Sequence, residues 1–151
     1  MDALFAFGRA VFGGFFVWNG LNHLVERKQM SQYAAAKGVP MAEVAVPASG
    51  ILVLAGGLSV MAGVKPREGL AAIIGFLIPV TLQMHRFWEV QDPQQRQGEL
   101  INFTKNMALV GAALMMMELA EPWAVSIDHA LSDDEDMFVH LGDRDFRAPP
   151  A

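Results

Sequence analysis

Residues 4–24, 44–64, 69–88 and 103–120 form four apolar stretches, each long enough to cross a bilayer. A spanning helix needs about 20 mostly apolar residues, because the hydrocarbon core is about 30 Å thick and each helical residue rises about 1.5 Å. The pattern predicts an all-α protein, a bundle of four antiparallel transmembrane helices surrounded by lipid. A soluble four-helix bundle would instead keep one charged face of every helix toward water. These stretches have no such face. Residues 51–62 carry Ser59 as their one polar side chain, and residues 70–80 carry none.

Charge divides the chain in two. Residues 1–121 hold nine basic and nine acidic side chains, so the net charge of -5 comes entirely from residues 122–151. That acidic segment ends in prolines and has the composition of a solvated, largely disordered tail attached to a membrane domain spanning 1–121. There is no basic stripe for nucleic acid to bind. Cysteine is absent, which removes disulfides, thiolate nucleophiles and redox-active Cys pairs. Any electron transfer must therefore use a bound carrier or a partner protein. The first apolar run is long, has no Lys or Arg before Arg9 and has no small-residue cleavage pattern, so helix one is expected to stay in the mature protein.

The connections are informative too. Residues 26–36 are polar and helix-permissive, and Gly38 and Pro40 follow. They predict a short interfacial helix between helices one and two, with Tyr33 at headgroup depth. Gly63 can end helix two and Pro66 can begin helix three, so these two are antiparallel neighbours. Residues 89–102 read as a hydrophilic surface loop holding Asp92-Pro93, a pair that stops helices. Pro79 is expected to bend helix three. Gly13-Gly14, Gly56-Gly57 and Gly111 with Ala112 and Ala113 are expected at close helix contacts. The run Met115 to Met117 reads as adaptable filler.

Few polar residues lie inside the spans, and they fall at matching depths. With four spans, the end of helix one, the end of helix three and the start of helix four lie on one side of the membrane. That side collects Asn22, His23, His85, Trp88, Lys105 and Asn106. Asn19, Asn22 and His23 share one helical face, as do Thr81, His85 and Trp88. An interfacial belt needs anchors such as Trp and Lys, but two asparagines, two histidines and a lysine from three helices suggest a polar pocket. A cation at low dielectric attracts an anionic head, and histidine moves protons near neutral pH. With Phe87 and Trp88 as a flat wall, the pocket would suit a quinone-like molecule entering from lipid. The helices carry no acid or thiolate beside the histidines. Glu89 or Glu99 would have to complete any metal site, and none is expected. At the other end, Arg9 lies about 21 Å from His23 and Glu118 about 20 Å from Lys105 along their helices. The matched depths predict an Arg9–Glu118 ion pair, with snorkelling of Arg9 to headgroups as the alternative.

These residues also carry a family resemblance. Gly20-Leu-Asn-His23, Tyr33-Ala-Ala-Ala-Lys-Gly-Val-Pro40, Gly56-Gly57 closing with Gly63, Met84-His-Arg-Phe-Trp88 followed by Asp92-Pro93, and Phe103-Thr-Lys-Asn-Met-Ala-Leu-Val-Gly111 resemble the DoxX family over about residues 5–120. His85, Phe87, Trp88, Lys105 and Asn106 fit its pattern, whereas Ser49-Gly50 departs where many relatives have an acidic residue. The resemblance implies a four-helix integral protein of the bacterial cytoplasmic membrane. Some relatives are named for a subunit of a thiosulfate:quinone oxidoreductase, and others associate with redox-stress partners.

Three functions compete. One is an accessory protein of a membrane redox or stress-response system that binds a lipophilic carrier such as a quinone, or a redox partner protein. The second is an enzyme in which His85 or His23 accepts a proton and Lys105 stabilises an anion. The third is a structural or cargo-binding protein without chemistry. Homo-oligomerisation is compatible with each. Arg27, Lys28, Lys37, Arg86 and Arg96 flank the pocket end, against Lys65 and Arg67 at the other. The positive-inside rule then puts the pocket toward the cytoplasm and the termini outside. A reporter fused to the C-terminus is expected to read as external; a cytoplasmic readout reverses this orientation.

Overall fold

The computed structural model describes residues 2–123 together with 126, 127 and 130. Five α-helices follow in order: α1 (Asp2–Val25), α2 (Arg27–Ala36), α3 (Ala42–Ala62), α4 (Pro66–Met84) and α5 (Pro93–Met117), with a 3-10 turn at Phe87–Glu89 before α5. The described residues form no strand. Helices α1, α3, α4 and α5 are each long and apolar enough to cross a membrane. Their outward faces agree: Phe7, Trp18, Ile51, Leu82 and Leu114 are exposed, as lipid-facing side chains should be. The protein is a multipass membrane protein, and α2 is the short connecting helix anticipated between the first two spans.

Helix ends follow local chemistry. Gly63 takes a left-handed conformation at φ 71° and closes α3, and Pro66 opens α4. Two boundaries differ from the sequence reading. Helix α4 stops at Met84, so His85 is its C-cap and Trp88 sits in the 3-10 turn; the two do not share a helical face with Thr81. Helix α5 begins ten residues before the expected position of 103, so most of the expected 89–102 loop is helix. Asp92 accepts a hydrogen bond from the Gln95 amide at 2.8 Å, and Pro93 occupies the first helical position. Proline keeps the preceding residue extended, which both ends one element and caps the next.

Packing is built on backbone contact. A Cβ on Gly13 would lie 2.6 Å from the Gly57 carbonyl oxygen, and one on Gly20 would lie 2.7 Å from that of Gly50. As the index on α1 rises by seven, its partner on α3 falls by seven, so the two helices run antiparallel along a glycine seam. In lipid, such close approach replaces the missing hydrophobic drive with dispersion. Gly56 meets α4 at Gly69 in the same way. Gly14 and Gly111, expected at helix contacts, face open space instead. Contacts then run from α3 to α4 and from α4 to α5, whereas α1 and α5 have no comparable interface.

The main core gathers Phe16, Val53, Ile73, Leu77 and Val110 with Trp123. Trp123 is only 2 % exposed and stacks edge-on against Phe5 at 5.3 Å. The membrane unit therefore extends past the boundary expected at 121. Arg67 holds the turn before it, donating to the carbonyls of Met117 at 3.1 Å and Leu119 at 3.2 Å, as a cation suits carbonyls left open at a helix end. Most of the acidic segment expected to be disordered lies outside the described residues. The expected Arg9–Glu118 pair is not among the ion pairs of the described residues. Helix α5 ends at Met117, leaving Glu118 as an exposed cap. Arg9 is buried, with its guanidinium against Gly63 at the end of α3.

The seam sets a test. Gly57→Ala places a Cβ 2.7 Å from the Gly13 oxygen and from the Val17 nitrogen, backbone atoms that move only if the helices part. Overpacking of this kind costs about 1–3 kcal/mol. Thermal denaturation in detergent should show a lower Tm for Gly57→Ala, with Gly14→Ala unchanged or slightly raised.

Candidate functional site

The seam brings the end of α1 and the start of α3 together on the side where α4 ends and α5 begins. Between them lies a cavity of about 890 Å³ with largely apolar walls. Asn19 and His23 reach it from α1, Ser49 from α3, Gln83 and His85 from the end of α4, and Lys105 and Asn106 from α5. Of the six pocket residues expected from sequence, His23, His85, Lys105 and Asn106 meet here. Asn22 and Trp88 do not line it. Asn22 is exposed, and its carbonyl accepts the Glu26 amide. Phe87 and Trp88, expected as the cavity wall, form an edge-to-face trio with Phe103, at 5.4 Å and 6.0 Å.

Each polar group in the wall has a defined partner. His23 donates from Nδ1 to the Asn19 carbonyl at 2.7 Å, and its ring meets Phe76 edge-on. This bond needs Asn19 and His23 on consecutive turns of one face. Asn106 is buried and donates from Nδ2 to the Thr81 hydroxyl at 3.0 Å, joining α5 to α4 at cavity depth. Lys105 is exposed and donates to Asn102 Oδ1 at 3.2 Å; it is the one lysine or arginine in the cavity wall.

Sequence reading placed the most connected group in a loop and named it only as an oxygen donor for a metal site. Glu99, from the second turn of α5, accepts from His85 Nδ1 at 2.8 Å through Oε2 and from Lys37 Nζ at 2.6 Å through Oε1. Lys37 is held by its backbone as well, its carbonyl accepting from Gln83 Nε2 at 2.9 Å and Arg86 Nη2 at 3.0 Å. The residue thus fastens the α2–α3 connection onto α4 and α5, and Gly38 at φ 81° turns the chain away immediately afterwards. The signal in the sequence was a lone acid ahead of an apolar run, and it acquires meaning only once α5 starts at Pro93. His85 and Glu99 are both capable metal ligands, but no group of three such residues occurs among the described residues. The site's assembled chemistry is a carboxylate-oriented imidazole beside an ammonium.

The Glu99 hydrogen bond holds the Lys37 ammonium above its ordinary range, against the opposing effect of burial. A raised lysine stabilises the fold fully below the unfolded value of about 10.4, and that contribution disappears as pH rises through the folded value. Lys37→Met is therefore expected to lower Tm by a constant amount between about pH 7 and 10. The gap to wild type should close at higher pH; a gap that closes near neutrality removes the ion pair from the account.

A model of the DoxX family matches residues 4–86, which covers α1 to α4 and ends before α5. No curated protein and no solved structure matches the chain.

Proposed function

This chain belongs to the DoxX family, and from that membership and the cavity we propose that it holds a small lipophilic molecule with a polar head, quinone-like in build. It does so as an accessory component of a redox or stress-response system in the bacterial cytoplasmic membrane. The observation that carries this reading is the convergence of His23, His85, Lys105 and Asn106 on one mostly apolar cavity. Its volume of about 890 Å³ falls in the usual range for small-molecule sites, roughly 300–1,000 Å³, where apolar walls carry a few placed polar groups. Hydrocarbon around the bundle supplies a lipophilic guest directly, and the absence of cysteine leaves redox chemistry to such a guest or to a partner protein.

A second reading, catalysis by the protein itself, is favoured by one contact. The His85–Glu99 hydrogen bond at 2.8 Å is the base-and-orienter pair from which acid–base catalysis is built.

Protein purified in mild detergent should release an aromatic lipid on solvent extraction, detectable by mass spectrometry. Lys105→Ala should keep the wild-type elution profile and helicity but retain about a tenth or less of that lipid, since a hydrogen bond to a charged group contributes about 1.5–3 kcal/mol. No aromatic lipid from wild type, with unchanged behaviour of the variant, removes both readings together.

A further inference from the structure

If a lipophilic molecule occupies the cavity, as proposed above, the direction of the hydrogen bonds in its wall decides which chemical form fits. A neutral imidazole has one N–H and one lone-pair nitrogen, and the partner of the first fixes the role of the second. The partner of His23 Nδ1 is a backbone carbonyl, which can only accept, so the proton sits on Nδ1. The partner of His85 Nδ1 is the Glu99 carboxylate, again an acceptor. Where the imidazoles are neutral, both rings therefore carry their one hydrogen on Nδ1. In both rings Nε2 is left as a lone-pair acceptor. Neither Nε2 has a hydrogen-bond partner among the described residues, neither is fully buried, and both rings belong to the cavity lining.

Four other neutral groups in the wall each commit one hydrogen to a protein acceptor. Asn19 commits an amide hydrogen to the Phe15 carbonyl, Gln83 to the Lys37 carbonyl and Asn106 to Thr81, and Ser49 donates its hydroxyl to the Val46 carbonyl. Each amide keeps a second hydrogen, and Lys105 and the Tyr33 hydroxyl are donors as well, so the two Nε2 lone pairs are what distinguishes a hydroxyl-bearing guest. A quinone offers two carbonyl oxygens and no hydrogens, so at the histidines it would leave acceptor facing acceptor, at the cost of unpaired polar groups on both sides. A hydroquinone or phenol offers O–H groups that pair with Nε2, and the Lys105 ammonium suits an oxygen on which negative charge develops. We propose that the cavity selects the reduced, hydroxyl-bearing form of an aromatic carrier over its oxidised, carbonyl-bearing form.

The probe pair is tetramethylhydroquinone and tetramethylbenzoquinone, whose rings are fully substituted and so resist attack by lysine. Binding is measured calorimetrically with the full chain in detergent, without oxygen, at about pH 8, where imidazole is neutral. The hydroquinone is expected to bind about tenfold more tightly, the ratio given by one hydrogen bond of about 1.4 kcal/mol. Glu99→Gln can donate an amide hydrogen to His85 Nδ1 and so admits the other tautomer. The tenfold ratio should then narrow toward one, whereas a purely structural defect weakens both probes alike. Nitrogen NMR of histidine-labelled wild type supplies a readout independent of that variant, with Nδ1–H expected in both rings. A quinone that binds as tightly as the hydroquinone, or a ring protonated on Nε2, overturns the selectivity while the cavity reading stands. Failure of both probes to bind overturns the cavity reading, and the selectivity with it.

Discussion

Hydrocarbon has no hydrogen bonds to offer, so a polar group carried into it must be met by protein or by a guest. This constraint organises the whole molecule. Backbone groups satisfy it by forming helices of 19 to 25 residues across the apolar region. Side chains satisfy it locally where they can, as Asn19 and Thr104 do by bonding to carbonyls one turn back. The remainder are drawn together from different helices. Asn106 finds Thr81 across the α4–α5 interface, and Glu99 collects both His85 and Lys37.

The two ends of the bundle meet this demand differently. Along α1 and α3 the solution is exclusion, since glycines at 13, 20, 50 and 57 let one backbone lie against the other with no room for side chains. At the end holding Arg9, the return of Trp123 into the core covers what α1 and α5 do not cover themselves. At the other end nothing comparable fills the space between α1, α4 and α5, and the polar wall faces a cavity.

Much of this was legible in the residues. Four long apolar runs with almost no interior charge fix four spans, and Gly63 with Pro66 fixes the hairpin between α3 and α4. Depth alone brought His23, His85, Lys105 and Asn106 to one level, because rise per residue is constant along a helix. What depth does not encode is azimuth. Trp88 is level with the cavity yet turns toward Phe103, since α4 stops at Met84 and the following turn rotates the ring away. Glu118 is level with Arg9, but among the described residues α1 and α5 share no substantial interface to join them. Asp92-Pro93 was ambiguous in principle, because the extended residue before proline ends one helix and caps the next. Reading it as a stop put Glu99 in a loop, as an optional metal ligand, and hid its role as the hydrogen-bond partner of His85.

Helix α5 has 25 residues, about 37 Å at 1.5 Å per residue, against a hydrocarbon thickness of about 30 Å. A helix of that length tilts or extends beyond the hydrocarbon, and Glu99 lies in its second turn. The imidazole at 85 lines the cavity and is joined at its δ nitrogen to a carboxylate and, through it, to an ammonium. One imidazole thereby ties the cavity wall to the ion pair that fastens the α2–α3 connection, so a change at either place is felt at the other.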